Sequence, residues 1–164
     1  MLRYSPRLKT LGAGLLVLAL VLPGFALARG ALNQDVRQET IRETICTPGY
    51  TKDVRPSTTY TNGVKRKLIR EAGLGWDDSA SKYELDHIIP LALGGHPRSL
   101  QNLELQPWEG DKGAKHKDRL EVKLQCLVCS GQVSLAQAQA DIAGDWASAY
   151  PRYARVKCQR HKRR

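Results

Sequence analysis

The chain has 164 residues, 41% of them hydrophobic and 26% charged, and a formal net charge of +10 at pH 7. That length suits one domain, and the lack of internal repeats or low-complexity blocks ahead of the last residues excludes a repeat array. The positive excess points to anionic partners, either phosphate-rich polymers or an anionic surface.

Residues 1–28 carry the pattern of a secretory signal peptide. Arg3, Arg7 and Lys9 form a basic head without an acid, Leu11–Leu22 is a 12-residue apolar run, and Ala26-Leu27-Ala28 is a small-residue exit. A membrane span needs about 20 apolar residues, so no stable membrane anchor is expected after cleavage. Cleavage after Ala28 implies a periplasmic or secreted protein beginning at Arg29. Residues 29–151 are then expected to form a single domain. A basic tail, Arg152–Arg164, follows, with seven Lys or Arg and no acid. Such a tail is a handle for nucleic acid or an anionic membrane surface, or equally a solvated end.

In chain order, Ile45–Gly63 is rich in Thr, Pro and Gly and is expected to be loop. From Val64, the residues Val64, Leu68, Ile69 and Ala72 share a helical face that stops at Gly73. Tyr83, Leu85, Ile88 and Ile89 suggest a short strand. Gly94-Gly95 marks a turn, and Leu100–Trp108 is a second extended piece. Lys115–Val128 is expected to be a helix with a Leu120, Leu124, Leu127, Val128 stripe. A last helix is capped by Ser134 with Gln137 and runs to Pro151, with Trp146 in its core-facing stripe.

Cys46, Cys126, Cys129 and Cys158 make an even set in a chain with an export signal, which argues for two disulfides. Cys126-Leu-Val-Cys129 lacks a second knuckle for structural zinc. Three pairings are open. Cys46 with Cys129 and Cys126 with Cys158 is the expected one, since it staples both ends of the chain to its middle.

The polar residues on the strand–turn–strand–helix frame carry the chemistry. Asp86-His87 closes the first strand. Asn102 follows after 14 intervening residues, and Asp111 after eight more. "DHIIPLALGG", "LQNLEL" and "KHKDRLE" resemble the HNH endonucleases, in particular a small exported bacterial branch, over Tyr83–Glu121. The resemblance implies an α+β protein with a ββα-metal core, flanking helices and disulfide staples. It also implies a metal-dependent endonuclease of low sequence specificity, cutting DNA and RNA as the second candidate, and leaving 5′-phosphate and 3′-hydroxyl ends. His87 would be the general base, since a neutral imidazole can take a proton from water near pH 7. Asn102 would bond across the loop and hold that imidazole in place. Asp86 would bind one divalent ion, Mg²⁺ first, with Mn²⁺ or Zn²⁺ as alternatives. The spacing puts Asp111 where the family has a His or Asn ligand, with His116 in reserve. Lys115, Lys117 and Arg119 on the following helix could face the phosphate backbone. His96 has no evident partner, and Trp108 is expected to pack, with base stacking as the other use of its ring. Two rival readings belong to other classes: a non-catalytic nucleic-acid binder on a degenerate form of the same fold, and a cationic envelope-associated protein.

Overall fold

Two short strands and the helix that follows them organise the chain. In the computed structural model, which describes residues 29–159, β1 (Tyr83–His87) pairs antiparallel with β2 (Leu103–Pro107). Tyr83 lies opposite Pro107, and His87 opposite Leu103. The fold is α+β, with six α-helices and this two-stranded sheet among the described residues. The expected signal peptide, residues 1–28, lies outside them. No described helix is long and apolar enough to cross a membrane.

The chain reaches β1 through α1 (Tyr50–Val54), α2 (Thr58–Glu71) and α3 (Trp76–Ser79). The expected loop at Ile45–Gly63 therefore holds α1 and the first turns of α2. Ser57 caps α2 by accepting from the Tyr60 N–H, which starts a helix among Thr, Asn and Gly residues whose own propensity is weak. Val64 and Ile69 are buried from its inward face.

After β2 comes α4 (Ala114–Cys129), the central helix. Leu120, Leu124, Leu127 and Val128 are at most 1% exposed; their spacing lays one apolar stripe along the helix. Each such side chain removed from water contributes about 1.5–3 kcal/mol. Leu120, Leu124 and Val128 pack into a core with Val36, Ile41, Ile45, Ile89, Leu93, Leu135, Ala138, Ile142 and Trp146.

The expected last helix is two helices, α5 (Leu135–Ala143) and α6 (Trp146–Ala154). Ser134 caps α5 by accepting from the Gln137 N–H, while the Gln137 side chain bonds forward to Asp141. Gly144 leaves helical geometry at ψ −133°, a change that glycine permits, and α6 starts in a new direction. Pro151 sits inside α6, not at its end. The expected basic tail, Arg152–Arg164, is described only as far as residue 159. Arg152–Ala154 are helical, Lys123 donates to the Val156 carbonyl, and Gln132 donates to that of Lys157.

Two disulfides join Cys46 to Cys129 and Cys126 to Cys158, with Cα separations of 5.5 and 6.0 Å. Both half-cystines of the C-x-x-C lie in the last turns of α4. The segment before α1 and the segment after α6 are thus tied to the same helix end. Disulfides of this kind belong to an oxidising compartment.

Candidate functional site

β1 ends in Asp86-His87, and Ile88 and Ile89 then enter the core. The chain turns back through a buried 3₁₀ turn at Leu91–Leu93 and Gly94, whose φ is +80°. At Gly95 an added Cβ would lie 1.7 Å from the Ile89 carbonyl oxygen, so only glycine lets the loop close on itself there. Asn102, fully buried just ahead of β2, clamps this loop. Its Oδ1 accepts from the Ile89 N–H at 2.9 Å. Its amide donates to the Ile89 and His96 carbonyls at 3.0 and 3.1 Å. His96, which sequence left without a partner, has two: Nδ1 accepts from the N–H groups of Arg98 and Ser99.

That loop presents the Pro97 carbonyl to His87, whose Nε2 lies 3.1 Å from it. A carbonyl can only accept, so Nε2 carries the proton and Nδ1 is the basic nitrogen of the neutral ring. Burial holds the His87 pKa below its usual 6.5; the Pro97 bond and the Asp86 charge oppose this without overcoming it. Asn102 does not bond to the ring. It acts on it through the loop.

His87 opens onto a cleft of about 200 Å³ lined by Arg55, Glu84, Asp86, Asp118 and Glu121 among others. Three of its carboxyls are held above their usual range. Burial first, then the Asp86 and Asp118 charges, pushes Glu84 to about 7. Burial and the Asp86 charge bring Glu121 to about 7 as well, and raise Asp118 for the same two reasons. Neighbouring negative charges in a place with little water resist full ionisation.

Lys117 departs from expectation. Its side chain is 2% exposed, and its ammonium is paired with the Asp86 carboxylate and donates to the His87 carbonyl at 2.6 Å. It cannot reach a phosphate backbone in this position. It ties the end of β1 to α4 instead. Lys115 and Arg119 are exposed, with Lys115 in an ion pair 2.5 Å from Glu109.

Asp86 and its expected partners, Asp111 and His116 in reserve, do not line one cleft. Asp111 lies in the exposed turn before α4, and His116, one residue before Lys117, is edge-on to Tyr150 at 6.4 Å. Successive helix residues diverge by about 100°, so His116 and Lys117 cannot share a face. Neither Asp111 nor His116 lines the cleft that Asp86 enters. Among the described residues, no group of three or more His, Cys, Asp or Glu is disposed to hold a metal ion. The cleft nevertheless has donor chemistry suited to a hard cation. Its carboxylates are all-oxygen ligands, and Glu84 Oε2 is buried without a hydrogen-bond partner.

Sequence reading missed Arg55, Asp118 and Glu121. Glu121 stands three residues after Asp118 and four after Lys117, the spacings that make helical neighbours, a signal present in "KHKDRLE" once the helix is placed. Arg55 comes from the end of α1, and no local pattern announces it. The chain matches no family model, no curated protein and no solved structure.

Proposed function

We propose that this protein is an exported phosphodiester hydrolase acting on nucleic acid, DNA first, with an HNH-type ββα-metal core formed by β1, the clamped loop, β2 and α4. The observation that carries the reading is His87: a buried, neutral imidazole whose Nε2–H is held by the Pro97 carbonyl, leaving Nδ1 as base beside a charged cleft. A water proton passes to Nδ1 while the water oxygen bonds to phosphorus and the P–O3′ bond breaks. The 3′ oxygen departs and takes a proton from solvent, leaving a 5′-phosphate end. Asn102 and Lys117 are positioning residues here. One holds the loop that orients the ring, and the other holds the strand end that carries it.

The cleft carboxyls repel a phosphodiester to the extent that they are ionised, which favours one divalent cation, Mg²⁺ before Mn²⁺ or Zn²⁺. Asp86, Glu84, Asp118 and Glu121 are the oxygen donors of the cleft and would have to draw together to hold it, since as they stand no three of them are disposed around a common point. When bound, the ion would supply Lewis-acid stabilisation of the developing charge. Arg55 is the exposed cation on the cleft wall and would contact a non-bridging phosphate oxygen. The positive charge of the chain, +7 of which remains on residues 29–164, supports a polyanionic partner, and the disulfides support an oxidising, extracytoplasmic setting.

One observation favours a second reading, a binder without turnover: the Lys117 ammonium already occupies the Asp86 carboxylate. Supercoiled plasmid incubated with the oxidised protein separates the two. Nicking that needs Mg²⁺ or Mn²⁺, stops in EDTA, and falls about 10²–10⁴-fold in His87→Ala is expected of the hydrolase. Wild-type protein that binds the plasmid and never nicks it, with any of the three ions, is the non-catalytic binder.

A further inference from the structure

A second concavity, about 500 Å³, lies at the open end of the hairpin, lined by Lys82, Tyr83, Pro107, Trp108, Glu109 and Lys115 among others. That volume is in the range of small-ligand sites. Two aromatic rings and two cationic side chains converge on it, and the cleft chemistry makes no use of them. Its walls are held from below. Tyr83 and Pro107 are the last paired residues of the sheet, and the Trp108 N–H donates to the Lys82 carbonyl at 3.0 Å, extending the ladder one step. The Trp108 side chain is only partly buried, although expectation had it packing.

We propose that this groove is a nucleobase subsite, in which the Trp108 and Tyr83 rings stack a base a few nucleotides away from the scissile phosphate while Lys115 and Lys82 take its backbone charge. The proposal rests on the nucleic-acid hydrolase reading and names how that site holds its substrate. Chain placement joins the two concavities. Tyr83 stands three residues before Asp86 on β1, ~10 Å at ~3.3 Å per residue, or about three stacked nucleotides at ~3.4 Å per step. On α4, Lys115 and Asp118 are i, i+3 neighbours, with Cβ atoms about 5–6 Å apart, so one helical turn links groove and cleft. Every base offers a π-face, so a stacking subsite fits an enzyme of low sequence preference. The Lys115–Glu109 pair is a side-chain contact at the groove wall. An incoming phosphate exchanges one anionic partner of Lys115 for another.

The test uses a fluorescein-labelled oligo-dT decamer bound in EDTA, and kcat/KM for that decamer and for bis(p-nitrophenyl) phosphate with the activating ion. Trp108→Ala is expected to weaken decamer binding about 5- to 100-fold, the range for losing one stacked base, with Trp108→Phe restoring most of it. Decamer kcat/KM should fall about tenfold more than that of the small diester, which brings no flanking base. If Trp108→Ala does not fold, Lys115→Glu, on an exposed side chain, must show the same selective loss. Equal affinity in wild type and variant, or equal losses on both substrates, overturns the subsite and leaves the hydrolase reading standing. Wild-type protein that neither binds the decamer nor hydrolyses the small diester overturns both.

Discussion

On one side of α4, Leu120, Leu124 and Val128 are closed off against α5, α6 and the N-terminal segment. On another, Lys117, Asp118 and Glu121 meet Glu84, Asp86 and His87 around a polar cleft. The apolar face needs only to be apolar and of the right spacing, because burial is non-directional and adds up side chain by side chain. The polar face depends on particular partners, because a charge taken out of water is costly unless another group compensates it. The same helix thus carries a forgiving surface and an exacting one.

The largest stability effect that would sharpen this contrast is expected at Lys117. Lys117→Met keeps the volume and leaves the Asp86 carboxylate without its cation, at a cost of about 3–5 kcal/mol. Lys117→Met with Asp86→Leu should recover most of it, as both charges are then gone. Denaturant midpoints measure both, and a double variant as unstable as the single one would deny that the pair is coupled.

Next comes the far end of the helix. Replacing Cys46 and Cys129 by Ala removes a link between residues 83 apart in sequence, which should cost about 2–4 kcal/mol. Because the clamped loop and the cleft lie elsewhere, plasmid nicking at low temperature should survive that change. Loss of nicking with the thermal midpoint still well above the assay temperature would show the two faces to be one cooperative unit.

The smallest effect tests the cleft alone. Glu121 has a folded-state pKa raised from 4.5 to about 7, so the folded protein holds that proton more tightly than the unfolded chain. Its contribution favours folding at low pH and is lost as pH rises through about 7. Glu121→Gln should therefore raise stability by about 1–2 kcal/mol at pH 8 and by little at pH 5. A gain of the same size at both pH values would contradict a buried, repelled carboxylate. Adding Mg²⁺ at pH 8 should narrow the difference if the cleft takes a cation.

What sequence determined about this protein is local or strongly patterned. The β1 and β2 segments, the α4 stripe and the Ser134 cap follow from periodicity and end signals over a few residues. Asp86, His87 and Asn102 stand out through their resemblance to the HNH pattern, and the observed disulfide pairing is the one of three open to the sequence that places both chain ends against the middle. The tertiary structure decided everything that depends on which way a residue turns once elements meet. It sent Lys117 inward to Asp86 and left Asp111 and His116 outside the cleft, and it brought Arg55 and Glu121 beside His87. Gly144 broke one expected helix into two for a related reason: a backbone bend is selected by what it lets α6 pack against. Apolar periodicity is written along the chain because each residue's burial is nearly independent of the others. Charge partners are not, because the energy of a buried ion depends on groups that sequence alone leaves tens of residues apart.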